Sequence, residues 1–476
     1  MVSETAEGDN LQTMPSVESD TAGTTLIDNA FRRRLTLCAL YFAQGLPWGF
    51  MTVALVSHLT EKGMSVPETG WLLGMSTLPW TFKLFWAPII DSVTIGSMGR
   101  RRPWILLAQL MMAATMITLV LIGNVSEELT LLGWLFFIHN CFASLQDVST
   151  DALAIDILAV DERGRVNGMM WGSKILGVGF GSAAMGTLLA RTNLEVTVMA
   201  QTAMIMAIMM LPLWFRERPG EKRFPWSRRQ VKPDAASPEI ASVRNPIHVL
   251  SNLLRAYSLP ATALAAFFTA TALIGQGTNS TLITPLYTQD LKWSGEMFSQ
   301  VTGVFGTGLE VIAALLGGYL GDRYGQRKFI VIGYSGFALM AISFGLLEPY
   351  WTSTWFAAGY LAVAPAFLAM GTVSGFSLFM RISWTKAAAT MFTCYMALSN
   401  VGDVIGKGLV ASTLRESFDY PACFCALGII GLIPLVLLLG VDARTVERAE
   451  LENQESPEPR NTGKSETPHG SEDLRR

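Results

Sequence analysis

The chain has 476 residues, half of them apolar and 15% charged, with a formal net charge of −3. Its mean hydropathy is +0.37, and its charge content falls well below the roughly one quarter usual in soluble domains. The charges collect in short clusters between long apolar runs, which excludes an ordinary soluble enzyme and fits a polytopic membrane protein.

Residues 1–30 are polar and acidic. They lack the basic start and apolar core of a signal peptide and are expected to form a disordered tail. Twelve apolar runs follow, each near the roughly 20 residues needed to cross a bilayer: 35–58, 69–90, 104–123, 131–158, 165–190, 195–215, 259–288, 297–320, 328–347, 353–380, 386–413 and 420–441. Glycines recur inside them, as in GVGFGSAAMG and GVFGTGLEVIAALLGG, and small residues of this kind mark close helix contacts. The Pro- and Arg-rich segment 216–255 is the longest internal polar stretch. It reads as a linker, or as a contact for anionic lipid, between a first six-helix bundle, 31–215, and a second, 256–441. The polar end, 442–476, is expected to be a second disordered tail. The five cysteines all lie in apolar runs without metal-ligand spacing and read as packing residues.

Lys and Arg concentrate in cytoplasmic loops. With the N-terminus inside, the inner segments 32–34, 100–102, 163–165, 216–255, 323–328 and 381–386 hold 22 cations, while the outer loops hold four, Lys62, Arg191, Lys292 and Arg415. Both termini are therefore expected in the cytoplasm.

Two inner turns repeat. APIIDSVTIGSMGRRRPWI carries Asp91 and then Arg100, Arg101 and Arg102; GGYLGDRYGQRKFI carries Asp322 and then Arg323, Arg327 and Lys328. The acids stand 231 residues apart, close to half the chain, as expected of two related bundles. The second turn, with Gly318, Asp322, Arg323, Gly325, Arg327 and Lys328, resembles the signature loop of the major facilitator superfamily. The first departs from it at Ser92 and by a longer insert. The resemblance implies an all-α integral membrane protein with the major facilitator fold: twelve transmembrane helices in two pseudo-symmetric six-helix bundles. Such loops can form a cytoplasmic gate, although cations placed there also simply obey the orientation rule.

Charges inside the runs are costly and usually face a cavity or a partner. They are Lys83, Asp147, Asp151, Lys174, Glu310, Asp403 and Lys407. At about 100° per residue, Asp147 and Asp151 share one helix face, whereas Asp156 points away from them and belongs with Glu162 and Arg163 at the inner end. Two neighbouring acids resist both being ionised, which suits a proton site. Lys83 and Lys174 suit an anionic group on a solute. Asp403 and Lys407 form an i,i+4 pair that reads equally well as structural.

The segments GLP (45–47), FKLFWAPIID (82–91), GRRRPWILLAQ (99–109) and SLQDVSTDALAIDIL running into DERG resemble the AmpG muropeptide permease family, which is itself similar to the acetyl-coenzyme A transporters. The match is dense over about 42–190 and loose beyond. It implies an importer of anhydro-muropeptides in a bacterial inner membrane, driven by the proton gradient with no cofactor. It sets Lys83, Asp91, Arg100, Arg101, Arg102, Gln146, Asp147, Asp151, Asp156, Glu162 and Arg163 on family-like positions, while NVGDVIGKG, with Asp403, departs from the pattern. The expected protein is a monomeric secondary transporter, a proton symporter binding a small solute and the bilayer but no nucleic acid. The alternative cargo is acetyl-coenzyme A or another anionic solute. A membrane sensor or a membrane-embedded enzyme is the remote alternative, since no catalytic, nucleotide-binding or metal motif is found.

Overall fold

A computed structural model describes residues 25–92, 98–122, 127–159, 162–222, 224, 258–382 and 388–441. Twelve helical spans follow in order. The first half holds α1 (Ala30–Glu61), α2 (Val66–Thr81, continued as Lys83–Ser92), α3 (Arg102–Val120), α4 (Leu129–Ile157), α5 (Arg163–Arg191) and α6 (Leu194–Trp214). The second holds α7 (Pro260–Ala272, continued as Ile274–Pro285), α8 (Gly295–Tyr324), α9 (Gln326–Leu346), α10 (Thr354–Ile382), α11 (Ala388–Ile405, continued through Gly406–Val410 to Ser417) and α12 (Tyr420–Leu438).

Among the described residues, nine helices are long and apolar enough as they stand to cross a membrane. The other three spans, α2, α7 and α11, are divided. Phe82 leaves the helical geometry three residues after Pro79, its amide donating to the Pro79 carbonyl at 3.2 Å in a tighter turn. Leu273 breaks α7 with similar backbone angles but no proline in the preceding turn, and a π-helical turn at Gly406–Val410 runs through α11, as others do through α1 and α8. Interrupted helices in a membrane are tolerated where they line a cavity or are buried in protein. Two of these three carry charges of interest, Lys83 directly after one break and Lys407 within the π-helical turn.

Turn chemistry sets the ends. Asn29, Ser65, Asn193, Ser294 and Asp419 cap α1, α2, α6, α8 and α12 with side-chain oxygens, satisfying amides that have no partner in the first turn. Gly325 turns α8 into α9 with φ +104°, a conformation that favours glycine.

The two halves pack alike. In the first, Gly45 on α1 lies so close to α5 that a Cβ would come within 2.0 Å of the Lys174 carbonyl oxygen; in the second, a Cβ on Gly406 of α11 would come within 2.3 Å of the Ile274 carbonyl oxygen of α7. Contacts α1 to α5 and α7 to α11 are the same contact repeated six helices later, with small residues permitting each.

The halves meet at the face away from residues 25 and 441. Ser57 Oγ bonds the Gly295 carbonyl at 3.2 Å and Ser299 Oγ at 3.0 Å. Ser182 donates to the Ser299 carbonyl at 2.9 Å. Gln289 donates to the carbonyls of Thr60 and Met64 at 2.8 and 2.7 Å, and the Gly295 amide donates to the Glu61 carboxylate at 2.8 Å.

The sequence expectation of a disordered segment through residue 30 needs correction at its end. Leu26 is fully buried, and Thr25 pairs with Arg216 as an isolated bridge. The strand-like pairing of Leu26 and Ile27 amides with the Arg216 and Glu217 carbonyls satisfies backbone groups that propensity alone left open. Residues 1–24 and 442–476, and most of the segment 216–255, lie outside the described residues. Its first residues, Arg216–Lys222, pack on the first half.

Candidate functional site

Helix α4 presents Asp147 and Asp151 on one face, as their spacing requires. Asp147 is 2% exposed. The Lys83 ammonium, just past the break in α2, pairs directly with one oxygen of Asp147 and stands 3.8 Å from Asp151. Lys174 approaches the other Asp147 oxygen at 3.7 Å, positioned by the close α1–α5 contact at Gly45. The Tyr41 hydroxyl donates to Asp151. Two carboxylates and two ammonium groups thus form one formally neutral cluster drawn from α1, α2, α4 and α5. Its members differ in access: the Asp147 side chain is 3% exposed and that of Asp151 41%. A buried charge is tolerable only when paired, and Asp147 meets that condition with two partners.

Aromatic rings enclose Lys174. Its ammonium lies 4.4 Å from the centre of the Trp80 ring, 5.3 Å from Trp171 and 5.9 Å from Tyr41. Trp80 is held by its indole N–H, which donates to Asn140 at 3.1 Å. Sequence reasoning missed these rings, although WGSK (171–174) sets Trp171 three residues before Lys174, on the same helix face; Trp80 comes from another helix.

A second cluster sits in the other half. Lys407 bonds Asp403 at 2.5 Å and reaches across to Thr77 Oγ1 of α2 at 2.7 Å. Asp403 and Lys407 are each 6% exposed. Lys407 also lies 5.8 Å from the ring centre of Trp48. Glu310 belongs to neither cluster: it is half-buried in α8, with no hydrogen-bond or ion-pair partner among the described residues.

At the face where residues 25 and 441 emerge, Arg101 pairs with Asp156 at 2.9 Å, and Glu162 receives Arg33 and Arg34 at 2.5 and 3.1 Å. Burial works against the Glu162 charge, but the bonds from Arg34 and Arg33 prevail and hold its carboxyl below the ordinary range. Arg163 donates to the Ile155 and Leu158 carbonyls. The fully buried Arg102 donates to the carbonyls of Met98, Pro212, Leu213 and Lys222. In the second half Asp322 accepts from Gln326, Arg323 donates to Tyr319, and Arg327 caps the end of α12 at the Leu438 carbonyl. These contacts each join elements of one half, rather than crossing to the opposite bundle. The side chain of Asp91 lies outside what the structure describes.

Glu217 falls in the segment whose composition reads as linker, yet it is 3% exposed and accepts the backbone amides of Arg100, Arg101 and Arg102 at 3.3, 3.0 and 2.6 Å. It thereby caps α3 from the far end of the first half. Burial pushes its carboxyl up, against the pull of those amides. The neighbouring Glu221 is pushed up to about 7, first by burial and then by the Glu217 charge.

The family model of the major facilitator superfamily matches residues 37–280 and 265–470. The chain belongs to the major facilitator superfamily. Superfamily members carry small solutes across membranes, so this multi-pass protein is a transporter and not an enzyme. The same fold is seen in the nucleoside transporter NupG, crystallised in mutant form (TM-score 0.64, 12% identity, 86% of this chain and 100% of that one). It is seen again in a D-xylose-proton symporter (TM-score 0.65, 13% identity, 88% and 99%). The chain is 32% identical over 138 residues to the anhydromuropeptide permease of Escherichia coli (strain K12), covering 28% of this chain and 26% of the permease. An uncharacterised protein of Haemophilus influenzae is 32% identical over 147 residues, 30% and 33% of the two chains. The matched segments thus span about a quarter to a third of these curated relatives.

Proposed function

We propose that this superfamily member is a proton-coupled importer of anhydro-muropeptides or a similar amphipathic solute. It would work by alternating access in an inner membrane, with both termini cytoplasmic and no cofactor beyond the proton gradient. The observation that carries the reading is the mixed cluster of Lys83, Asp147, Asp151 and Lys174. Its four groups balance each other, so adding a proton to either acid releases a lysine, and a released lysine can take an anionic group of the solute. Asp151 offers the accessible carboxyl and Asp147 the buried one, which orders them as entry and storage points for the proton. Asp403 and Lys407 repeat the motif as one acid and one base, and their bond to Thr77 makes them sensitive to separation of the halves. Resemblance to a muropeptide permease over part of the first half supports the cargo class.

In this conformation the halves are joined at the face away from the termini; with the termini cytoplasmic, as proposed, the outer side is the closed one, which fits the releasing state of an importer. The turns carrying Arg100, Arg101, Arg102, Asp156, Glu162, Arg163, Asp322, Arg323 and Arg327 would serve as the cytoplasmic gate of the opposite state. Proteoliposomes with an imposed proton gradient test the proposal: uptake of anhydro-muropeptide must follow the gradient and collapse with a protonophore. Uptake that ignores the gradient refutes the coupling. Because the two lysines recognise charge rather than a sugar, acetyl-coenzyme A or another anionic solute is the second reading, and competition in the same vesicles separates it.

A further inference from the structure

Where α9 begins and α12 ends, the surface carries a groove of about 550 Å³. Arg327 and Lys328 stand at its mouth, and Val331, Ile332, Leu435 and Leu439 line its wall. This apolar wall is open: Val331, Ile332 and Leu439 are 45%, 47% and 81% exposed. One edge of the Arg327 guanidinium is used, its Nη2 donating to the carbonyls of Leu438 and Leu439. Neither Arg327 nor Lys328 meets a carboxylate among the described residues, and no acid lines the groove.

We infer that this groove binds an anionic phospholipid, its phosphate held by Arg327 and Lys328 and its acyl chains laid along Val331, Ile332, Leu435 and Leu439. Three features select that occupant. First, the two cations sit in the first turn of the spanning helix α9, the end of a span that headgroups would meet. Second, the wall beneath them faces outward and continues into the exposed apolar surface of α9 and α12 at Leu339 and Val436, so an acyl chain finds contact where free phosphate would find none. Third, the planar guanidinium keeps N–H groups free for a phosphate, while the adjacent ammonium adds a second point charge. Basic pockets between transmembrane helices on the cytoplasmic side are suited to such headgroups. The cations alone would only orient the chain in the bilayer; the open apolar wall converging beneath them is what adds a site. The site rests on the proposed orientation only for the choice of leaflet, and it makes no use of the transport reading.

The test is native mass spectrometry of the purified full-length protein, titrated with phosphatidylglycerol and, separately, with phosphatidylcholine of the same acyl chains. The wild type should retain phosphatidylglycerol at concentrations where phosphatidylcholine is stripped. Lys328→Glu keeps the Arg327 cap on α12 intact and should weaken retention at least about fivefold. Arg327→Ala with Lys328→Ala should abolish the preference. Lys62→Ala with Lys292→Asn removes two cations from the opposite face and should leave it unchanged; asparagine suits position 292, whose φ is 57°. Equal retention of the two lipids, or a preference surviving Lys328→Glu, or one lost equally in the opposite-face variant, overturns the site. Binding of inorganic phosphate at the same strength as the lipid overturns the assignment to a membrane source.

Discussion

Trp48 and Trp80 meet edge to face, with ring centres 5.8 Å apart and planes at 88°, and each ring carries a lysine. Lys174 lies over Trp80 and Lys407 over Trp48. The two rings therefore stand between the charge cluster of the first half and that of the second. Asn400 of α11 adds a direct tie, donating to the Trp80 carbonyl at 3.3 Å. Any movement of the halves must change the Lys407–Trp48 and Asn400–Trp80 contacts, since Lys407 and Asn400 belong to one half and both tryptophans to the other.

Replacing Trp80 tests whether the ring holds Lys174 in place. Trp80→Phe keeps an aromatic face but loses the bond to Asn140; Trp80→Leu loses both. Leucine should be less stable than phenylalanine by about 1–2 kcal/mol, the worth of a desolvated cation–π contact. Thermal unfolding in detergent measures the difference. Equal midpoints for the two variants would mean that the ring face contributes nothing.

The Asp147 pairing makes an asymmetric prediction. Asp147→Ala leaves two ammonium groups facing each other and should cost about 3–5 kcal/mol, as for other broken buried pairs. Lys83→Met should cost less, because Lys174 remains 3.7 Å from the carboxylate. Joining Lys83→Met with Asp147→Ala should cost less than the sum of the two single changes, showing the coupling expected of residues in contact. Unfolding midpoints of the three variants decide; strict additivity would contradict the pairing.

Glu221 predicts a pH dependence with a definite sign. Its carboxyl is pushed up to about 7 in the folded chain, against about 4.3 when free. Between these values the folded state holds a proton that the unfolded state has lost, so stability falls as pH rises through that window. The first half should unfold at a higher temperature at pH 5 than at pH 8, and Glu221→Gln should flatten the slope. An unchanged slope in the variant would assign the effect to other groups.

The seam away from the termini must open if the halves rock. Ser57 and Ser299, both fully buried, hold their hydroxyl oxygens 3.0 Å apart across it, close enough for a disulfide between cysteines placed there. Ser57→Cys with Ser299→Cys should be active when reduced, inactive when oxidised and active again after reduction. Transport that continues through the closed disulfide would contradict opening at this seam.

Much of this could be read from the sequence where the signal was local. The four-residue spacing of Asp147 and Asp151 gave their common face, and that of Asp403 and Lys407 their pair. The phase of Asp156 separated it from both, and the structure sets it on Arg101. What the sequence withheld was long-range. Lys83 and Asp147 lie on different helices, and only packing reveals that a break at Phe82 turns the lysine toward α4. That break has no glycine of its own and follows Pro79 by a turn. Glu217 sits in a segment whose composition reads as linker, yet the amides at the start of α3 give it a buried place. Of the aromatic enclosure of Lys174, only Trp171 is local to it, in WGSK; Trp80 reaches it from another helix, and thirteen tryptophans give no means of singling it out.

The most direct test of proton coupling at the α4 acids is uptake of anhydro-muropeptide into proteoliposomes, measured once with an imposed proton gradient and once as gradient-free exchange. Asp147→Asn and Asp151→Asn remove the acids while keeping side-chain size. We predict that at least one of them abolishes gradient-driven accumulation while exchange persists, because solute binding and rocking survive and only the coupling is lost. Gradient-driven accumulation that stays at the wild-type level in both variants would contradict the assignment of these acids.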